Sequence, residues 1–476
     1  MLHLYHQILL TSRANKHTMP TIIALATSPA GGAIALIRLS GPHTQEITQT
    51  LTRKNQMPIP RRATLARLYT PEGETVDEAL ITHFTAPNSY TGENMLEIST
   101  HASPFITRTL INLAVDLGAR LAQPGEFTQR AFLNGKLDLA QAEAVNDLIA
   151  AITPAQHKTA YQQLKGTVSQ AIEQLRAKLL ELASLTELEI DFGEEDVEFA
   201  DREQLLHLSQ QTLEQAQQLT QGFARGEAIR HGVPLAIIGP PNAGKSSLLN
   251  HLLGEERAIV TDIPGTTRDT LEGELLLGDI LFRPVDTAGL RQTEDPVERI
   301  GIERAYKELQ AAPLALILLD STRPAEELAN HLRDIAPNIQ PSTSTLILLT
   351  KRDKTNQDRL AQTLQSLSPL TQYPIATISV KQTNGTHELH EWLHARASDI
   401  LQEGEVPTLT NIRHYNALQQ AALELEALQQ AIQNQLPPDL LAHHIRNVTH
   451  HLGTVTGRIT TEDILTNIFA NFCIGK

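Results

Sequence analysis

Gly239-Pro-Pro-Asn-Ala-Gly-Lys-Ser246 fits G-x-x-x-x-G-K-[ST] at every fixed position. It stands between the apolar run Leu235-Ala-Ile-Ile238 and the helix-like Ser247-Leu-Leu-Asn250. A buried strand that ends in a glycine-rich turn and opens a helix offers free backbone N–H groups and a helix N-terminus to an anion. The pattern is therefore a phosphate loop. Lys245 is placed to reach the β- and γ-phosphates of a nucleoside triphosphate. Ser246 would put its hydroxyl on Mg²⁺, a hard cation that takes oxygen ligands. Asn242, Ala243, Gly244, Lys245, Ser246 and Ser247 are the first candidate nucleotide-binding residues.

Three more apolar runs downstream each end in a polar signature. Asp286-Thr287-Ala288-Gly289 follows Asp279-Ile-Leu-Phe-Arg-Pro-Val285 as a strand-end DxxG. Its Asp can hold a metal-bound water and its Gly can donate an N–H to a γ-phosphate. Thr350-Lys351-Arg352-Asp353 follows Leu346-Ile-Leu-Leu349, and Ser379-Val380-Lys381 follows Ile375-Ala-Thr-Ile378. Such repetition predicts a doubly wound α/β sheet with its ligand in the loops at the carboxyl ends of the strands. Between the first two signatures, Thr261-Asp262-Ile263-Pro264-Gly265-Thr266-Thr267 supplies a switch-like loop, with Thr267 able to give Mg²⁺ a second oxygen. Many regulatory GTPases place a water-orienting Gln just after DxxG. Here that position is Leu290, so another group must orient the water.

The TKRD and SVK segments resemble the [N/T]KxD and SAK base-reading elements of translation-factor-type GTPases, with Thr350 where Asn is usual. That resemblance makes Asp353 the acceptor for guanine N1 and N2, and implies GTP rather than ATP as ligand. With Asn242 in the phosphate loop and the TDIPGTTRD run, the sequence closely resembles the tRNA uridine-modification GTPases, potassium-activated members of the TrmE class. The resemblance implies that Asn242, Thr261, Ile263 and Thr266 coordinate K⁺, an ion standing where an arginine finger would neutralise transition-state charge. It also implies that Glu298 orients the attacking water through a second water. From the residues alone, Asn242 reads equally as a turn residue and Glu298 as one helix-surface carboxylate among several.

Both ends of the chain carry the same likeness. Thr460-Thr-Glu-Asp-Ile-Leu465 and Ile468-Phe-Ala-Asn-Phe-Cys-Ile-Gly-Lys476 match the family's TTEDLL and terminal FCIGK. Thr21-Ile-Ile-Ala-Leu-Ala-Thr27, Ala33-Ile-Ala-Leu-Ile-Arg-Leu-Ser-Gly41, Asn88-Ser-Tyr-Thr-Gly-Glu-Asn94 and Pro124-Gly-Glu-Phe-Thr-Gln-Arg-Ala-Phe-Leu-Asn-Gly-Lys-Leu-Asp-Leu139 resemble its folate-binding domain. The resemblance implies a 5-formyl- or methylene-tetrahydrofolate held by Arg38, Glu97, Lys136 and Lys476, and homodimerisation through this domain. A carboxylate such as Glu97 can accept a pair of pterin donors, while Arg or Lys suits a glutamate tail. On charge chemistry alone, Arg38 and Lys136 read as surface cations. Gly31 stands where the family has Arg, and His101-Ala-Ser-Pro104 replaces an HGGP turn.

Taken whole, the likeness implies a GTPase that works with an FAD-dependent partner protein in a hetero-oligomer. Together they would add a carboxymethylaminomethyl group at C5 of a tRNA wobble uridine, with folate as one-carbon source. The alternative is a regulatory GTPase of ribosome assembly. Such proteins append an RNA-binding module, and no GxxG-type KH element with basic flanks stands in this sequence.

Length and composition set the frame for these motifs. The 476 residues suggest about three domains at ~150 residues each. Stretches rich in Ala, Leu, Gln and Glu flank the nucleotide motifs on both sides, which predicts an all-α domain split in sequence. The expected plan is an N-terminal extension over 1–19, read as a translation-start artefact rather than a presequence, then an α+β folate-binding and dimerisation domain over 20–138. Helical parts follow at 139–230 and 397–476, with an inserted α/β P-loop GTPase domain at 231–396. Lys and Arg total 39 against 54 Asp and Glu, a net −15 unlike most nucleic-acid-binding domains, so any tRNA must meet a local basic surface or a partner's. Cys473 is the single cysteine, which excludes an intramolecular disulfide and fits a reducing compartment. It reads as a small buried apolar residue, since no paired base accompanies it. No apolar run approaches the length of a membrane span, and a cytoplasmic location is expected. The acidic stretch 187–198 reads as a solvated loop, and His443, His444, His450 and His451 as helix surface.

Overall fold

In the computed structural model, residues 19–28, 32–192, 202–256, 274–285, 309–382, 384–402, 404, 407–470 and 472–475 are described. Burial along the strands separates two six-stranded sheets. The first contains β1 (Ile22–Leu25), β2 (Ile34–Ser40), β3 (Thr64–Tyr69), β4 (Thr75–Phe84), β5 (Met95–His101) and β6 (Arg120–Leu121), ordered β3-β4-β5-β2-β1-β6. It is antiparallel except where β1 meets β6. In β2, Ile37 and Leu39 are fully buried while Leu36 and Arg38 are not, the alternation of a sheet with one face on a core. Ile47 and Leu51 from helix Thr44–Thr52 and Leu110 and Ala114 from helix Pro104–Asp116 close that core with Ile81 and Ile98.

The second sheet contains β7 (Val233–Ile238), β8 (Leu275–Leu277), β9 (Ile280–Val285), β10 (Leu314–Asp320), β11 (Ser344–Thr350) and β12 (Ile375–Thr377), ordered β12-β11-β10-β7-β9-β8. All its pairs are parallel apart from the β8–β9 hairpin. Every residue of β10, Leu-Ala-Leu-Ile-Leu-Leu-Asp, is buried. Leu316 and Leu318 enter the core on one face, and Ala315, Ile317 and Leu319 the core on the other. Two-sided burial is why this strand reads as a continuous apolar run rather than an alternating one. The doubly wound α/β fold follows.

Helices Thr167–Phe192, Arg202–Gln221, Ile412–Gln433 and Pro438–Thr456 share one core, built from Leu175, Leu179, Leu213, Leu418, Leu425, Val448 and Leu452 among others. Residues on both sides of the second sheet thus fold together, as their amphipathic periodicity predicts. Helices Leu139–Ala150 and Pro154–Leu164 each begin with a capping box, Asp138 with Gln141 and Thr153 with Gln156. The C-terminal helix Glu462–Ala470 brings Leu465, Phe469 and Phe472 onto Phe132, Leu139 and Ala142. Cys473 beyond it is partly exposed rather than buried, because the apolar anchoring falls on the two phenylalanines.

The nucleotide sheet joins the helices through a neck of two segments. Helix Phe223–His231 leads in, and residues 407–411 lead out along it. Arg225 donates to the Gln402 carbonyl and to the Thr408 hydroxyl, and Gln163 Nε2 holds the Thr408 carbonyl at 2.9 Å. The approach is closest at Gly226, where a Cβ would stand 1.8 Å from the Leu409 carbonyl oxygen. Gly226→Ala is therefore expected to lower the thermal unfolding midpoint by several degrees, because backbone must move to admit the methyl group. Gly222→Ala, where an added Cβ meets nothing within 4 Å, is the matched control in the same calorimetric scan. Equal midpoints for the two variants would show that the neck yields freely.

Candidate functional site

Three loops meet at the carboxyl ends of β7, β11 and β12. After Ile238 the chain turns at Gly239, which lies so close to β10 that a Cβ would be 2.3 Å from the Leu318 carbonyl oxygen. Asn242 (φ 62°) and Gly244 (φ 98°) take left-handed backbone conformations, which Gly and Asn accept most readily. The helix Lys245–Glu256 starts directly after them. Lys245 Nζ folds over the loop onto the carbonyls of Gly239 and Pro240, at 2.5 and 3.1 Å. Ser246 and Ser247 are exposed at the helix N-terminus and Ala243 is buried beneath the turn.

The end of β11 grips this loop. Thr350 Oγ1 donates to the Ala243 carbonyl at 2.7 Å, and Lys351 Nζ donates to the Asn242 carbonyl at 2.7 Å. Asp353 is exposed in the single turn Arg352–Lys354, and its Oδ1 accepts from Ser379 Oγ at 2.8 Å. Ser379 is 1% exposed and also receives the Lys381 N–H at 3.3 Å. Val380 is half-buried and Lys381 exposed. Two hydrogen-bonded groups, Asn242 and Ala243 with Thr350 and Lys351, and Asp353 with Ser379 and Lys381, thus stand at the sheet edge that a doubly wound fold reserves for ligands. Thr261, Asp262, Ile263, Pro264, Gly265, Thr266, Thr267, Asp286, Thr287, Ala288, Gly289 and Glu298 lie outside the described residues; β9, which pairs with β7, ends at Val285, just before Asp286.

Sequence reasoning missed Asp320. Its Oδ2 lies 2.6 Å from Lys351 Nζ, and its Oδ1 accepts from the Thr322 N–H and hydroxyl at 3.0 and 2.7 Å. Burial pushes this carboxyl up, but the bonds from Lys351 and Thr322 outweigh burial and hold it below the usual range. The signal was a lone acid closing an otherwise apolar strand.

A second constellation occupies the first sheet. Arg38 and Glu97 face each other in the β2–β5 register. Arg38 Nε and Nη2 both donate to Glu97 Oε1, at 3.0 and 2.8 Å, and Nη1 donates to the Gly475 carbonyl at 3.0 Å. The rings of Tyr90 and Phe127 each lie 5.8 Å from the guanidinium carbon. The C-terminal tail is thereby drawn to the acid–base pair, next to Leu25 and Ala26, which Gly475 approaches closely. Lys136 instead donates to the Pro87 carbonyl at 3.1 Å and lines the loop around Gly92. Lys476 and Gly31 lie outside the described residues. His101 Nδ1 is 2.9 Å from Asp77 Oδ1.

Residues 21–136 match the family model described as GTP-binding protein TrmE N-terminus, and residues 139–473 match that of the MnmE helical domain. The chain belongs to the MnmE family. The tRNA modification GTPase MnmE of Flavobacterium johnsoniae is 43% identical over 464 residues, spanning 96% of this chain and 99% of that protein. Its namesake in Cytophaga hutchinsonii is 43% identical over 469 residues, 98% of this chain and 100% of that protein. That of Bacteroides thetaiotaomicron is 40% identical over 466 residues, covering 96% and 99%.

Asn242 and Ser246 bring oxygen donors to the exposed rim of the phosphate loop, a chemistry suited to K⁺ and Mg²⁺. A paired acid and base flanked by two aromatic rings suits a flat heterocycle with adjacent donors, as a pterin has. His444 Nδ1 is occupied by Glu424 at 2.8 Å. Among the described residues no group of three or more His, Cys, Asp or Glu is placed to hold a metal ion, and no helix is long and apolar enough to cross a membrane.

Proposed function

We propose that this GTPase hydrolyses GTP with Mg²⁺ and K⁺, and that hydrolysis drives carboxymethylaminomethyl addition at C5 of a tRNA wobble uridine. The observation that carries the nucleotide reading is the junction of Asn242 and Ala243 with Thr350 and Lys351, beside the Asp353–Ser379 pair. Lys245, now on loop carbonyls, would transfer its hydrogen bonds to β- and γ-phosphate oxygens. Asp353 would accept from guanine N1 and N2 while Ser379 keeps its carboxylate aimed. Ser246 and Thr267 would hold Mg²⁺, and Asn242, Thr261, Ile263 and Thr266 would hold K⁺. Both ions supply neutralisation of charge on the transferring phosphoryl group when bound. Glu298 would orient the water that Leu290 cannot.

The modification chemistry is assigned to the first sheet. Arg38, Glu97, Lys136 and Lys476 would hold a 5-formyl- or methylene-tetrahydrofolate, with support from the Arg38–Glu97 pair and from the tail that reaches it. The chain would act as a homodimer through this domain, in the cytoplasm, together with an FAD-dependent partner protein. With a net charge of −15, tRNA would be met by local cations or by that partner.

Turnover of GTP by the purified chain should be strongly faster in KCl than in NaCl at matched ionic strength, with ATP inert in both. Equal slow rates in the two salts would remove the K⁺ assignment and leave a conventional GTPase.

A further inference from the structure

The carbonyls of Asn242 and Ala243 are both engaged by the end of β11, one by Lys351 Nζ and the other by Thr350 Oγ1. In a trans peptide the C=O and the N–H that follows it point in opposite directions. Holding these two carbonyls toward β11 therefore turns the N–H groups of Ala243 and Gly244 away from it: that of Ala243 closes the turn onto the Pro240 carbonyl at 3.2 Å, and that of Gly244 faces the loop, where an anion would lie. The two grips differ in stiffness. Thr350 has a short side chain, and its hydroxyl also reaches the Leu319 carbonyl at 3.3 Å. Lys351 carries its ammonium on a four-carbon stem with much rotamer freedom to lose.

Asp320 removes that freedom. It is 7% exposed and stands opposite Thr350 in the β10–β11 register. Its Oδ2 takes Lys351 Nζ, while Oδ1 is fixed by the backbone and hydroxyl of Thr322. Thr322 is held in turn, its carbonyl accepting from Arg359 Nη2 at 2.7 Å. A chain of polar contacts thus runs from Thr322 through Asp320 and Lys351 to the phosphate loop. The carboxylate also balances the charge of an ammonium that would otherwise sit uncompensated beside Asn242.

We propose that Asp320 is a positioning residue for nucleotide binding, acting through Lys351 to fix the Asn242–Ala243 peptide and thereby the affinity of the loop for phosphate. The inference rests on the guanine-nucleotide reading and deepens it. Asp320→Asn is the informative change: the amide oxygen can still accept from Thr322, the shape is kept, and the charge facing Lys351 is gone. Release of a fluorescent GDP from the full chain should be about tenfold faster in Asp320→Asn. Lys351→Met should show a similar acceleration, and the double variant should be no faster than Lys351→Met alone. In steady-state turnover, KM for GTP should rise by a larger factor than kcat falls.

A wild-type release rate in Asp320→Asn overturns the proposal, as does an effect that adds in full to that of Lys351→Met, which would mark a separate structural role. Should Asp320→Asn fold poorly, Lys351→Met decides, because its side chain is partly exposed, and wild-type release there also overturns the proposal. Failure of the parent chain to bind GDP at all would defeat the guanine reading itself, an outcome distinct from tight binding that Asp320→Asn leaves unchanged.

Discussion

Asp353→Asn is expected to weaken GTP binding by roughly 100- to 1,000-fold while leaving the fold intact. The carboxylate offers two acceptors to the two adjacent donors of guanine, each bond charge-assisted. An amide offers one acceptor and turns an N–H₂ donor toward the second guanine donor, so one bond is lost and a repulsion replaces it. The substitution spares the scaffold, since an amide oxygen can still accept from Ser379, now 2.8 Å from Oδ1. Xanthine carries an oxygen where guanine carries its exocyclic amine, so the Asn variant should gain affinity for xanthosine nucleotides. Calorimetric titration with GDP and xanthosine diphosphate checks both halves. Undiminished GDP affinity would remove Asp353 from base recognition and reduce the TKRD segment to a turn after a strand.

The nucleotide domain was legible because its constraints are local. A phosphate loop needs a glycine where β10 leaves no room for a Cβ, at Gly239, and a left-handed residue at Asn242, and both needs are written within eight residues. The two-sided burial of β10 likewise shows as an unbroken apolar run. The split helical core was legible for a different reason: Leu175 and Leu425 lie on amphipathic helices that must bury a face somewhere. What stayed hidden were partnerships between polar groups far apart in sequence. Lys351 and Asn242 are 109 residues apart, and Arg413 and Glu143 are 270 apart. Charge alone makes Lys351, Arg413 and Glu143 solvated surface groups and leaves Asn242 a turn residue, and only the fold turns them into pairs. The first sheet is legible only as family likeness, since its alternation gives strands but neither the order β3-β4-β5-β2-β1-β6 nor the arrival of the tail at Arg38.

Glu143 carries the other large expected effect. Its side chain is buried on helix Leu139–Ala150, where Oε1 accepts from Arg413 Nε at 3.0 Å and Oε2 from Arg413 Nη2 at 2.8 Å, with His414 Nε2 at 2.7 Å. Arg413 also donates to the carbonyls of Thr454 and Val455. Glu143→Ala would leave the buried His414 ring and the half-buried Arg413 guanidinium without their carboxylate, at a cost of about 3–5 kcal/mol. For a domain of this size the thermal midpoint should fall by roughly 10 °C at neutral pH. Burial alone would raise the Glu143 carboxyl, but the His414 imidazole and then the Arg413 guanidinium outweigh it and bring it from 4.5 down to about 2. Because the folded value lies below the unfolded one, this stabilisation is complete above the ordinary carboxylate range and is lost as pH falls through about 2. Asp147, on the same helix, runs the opposite way: burial raises it despite the Arg230 guanidinium at 2.7 Å, so its contribution weakens as pH rises through its folded value. Thermal midpoints of the parent and Glu143→Ala followed by circular dichroism should therefore converge as the solution is acidified from the ordinary carboxylate range toward the folded value. A gap that stays constant through that window would assign the loss to packing rather than charge. The consequence reaches past stability, because this one helix meets the tail cluster through Leu139 and Ala142 and the neck through Asp147 and Arg230. Loosening it should disturb the nucleotide sheet's attachment and the seat of the C-terminal tail together.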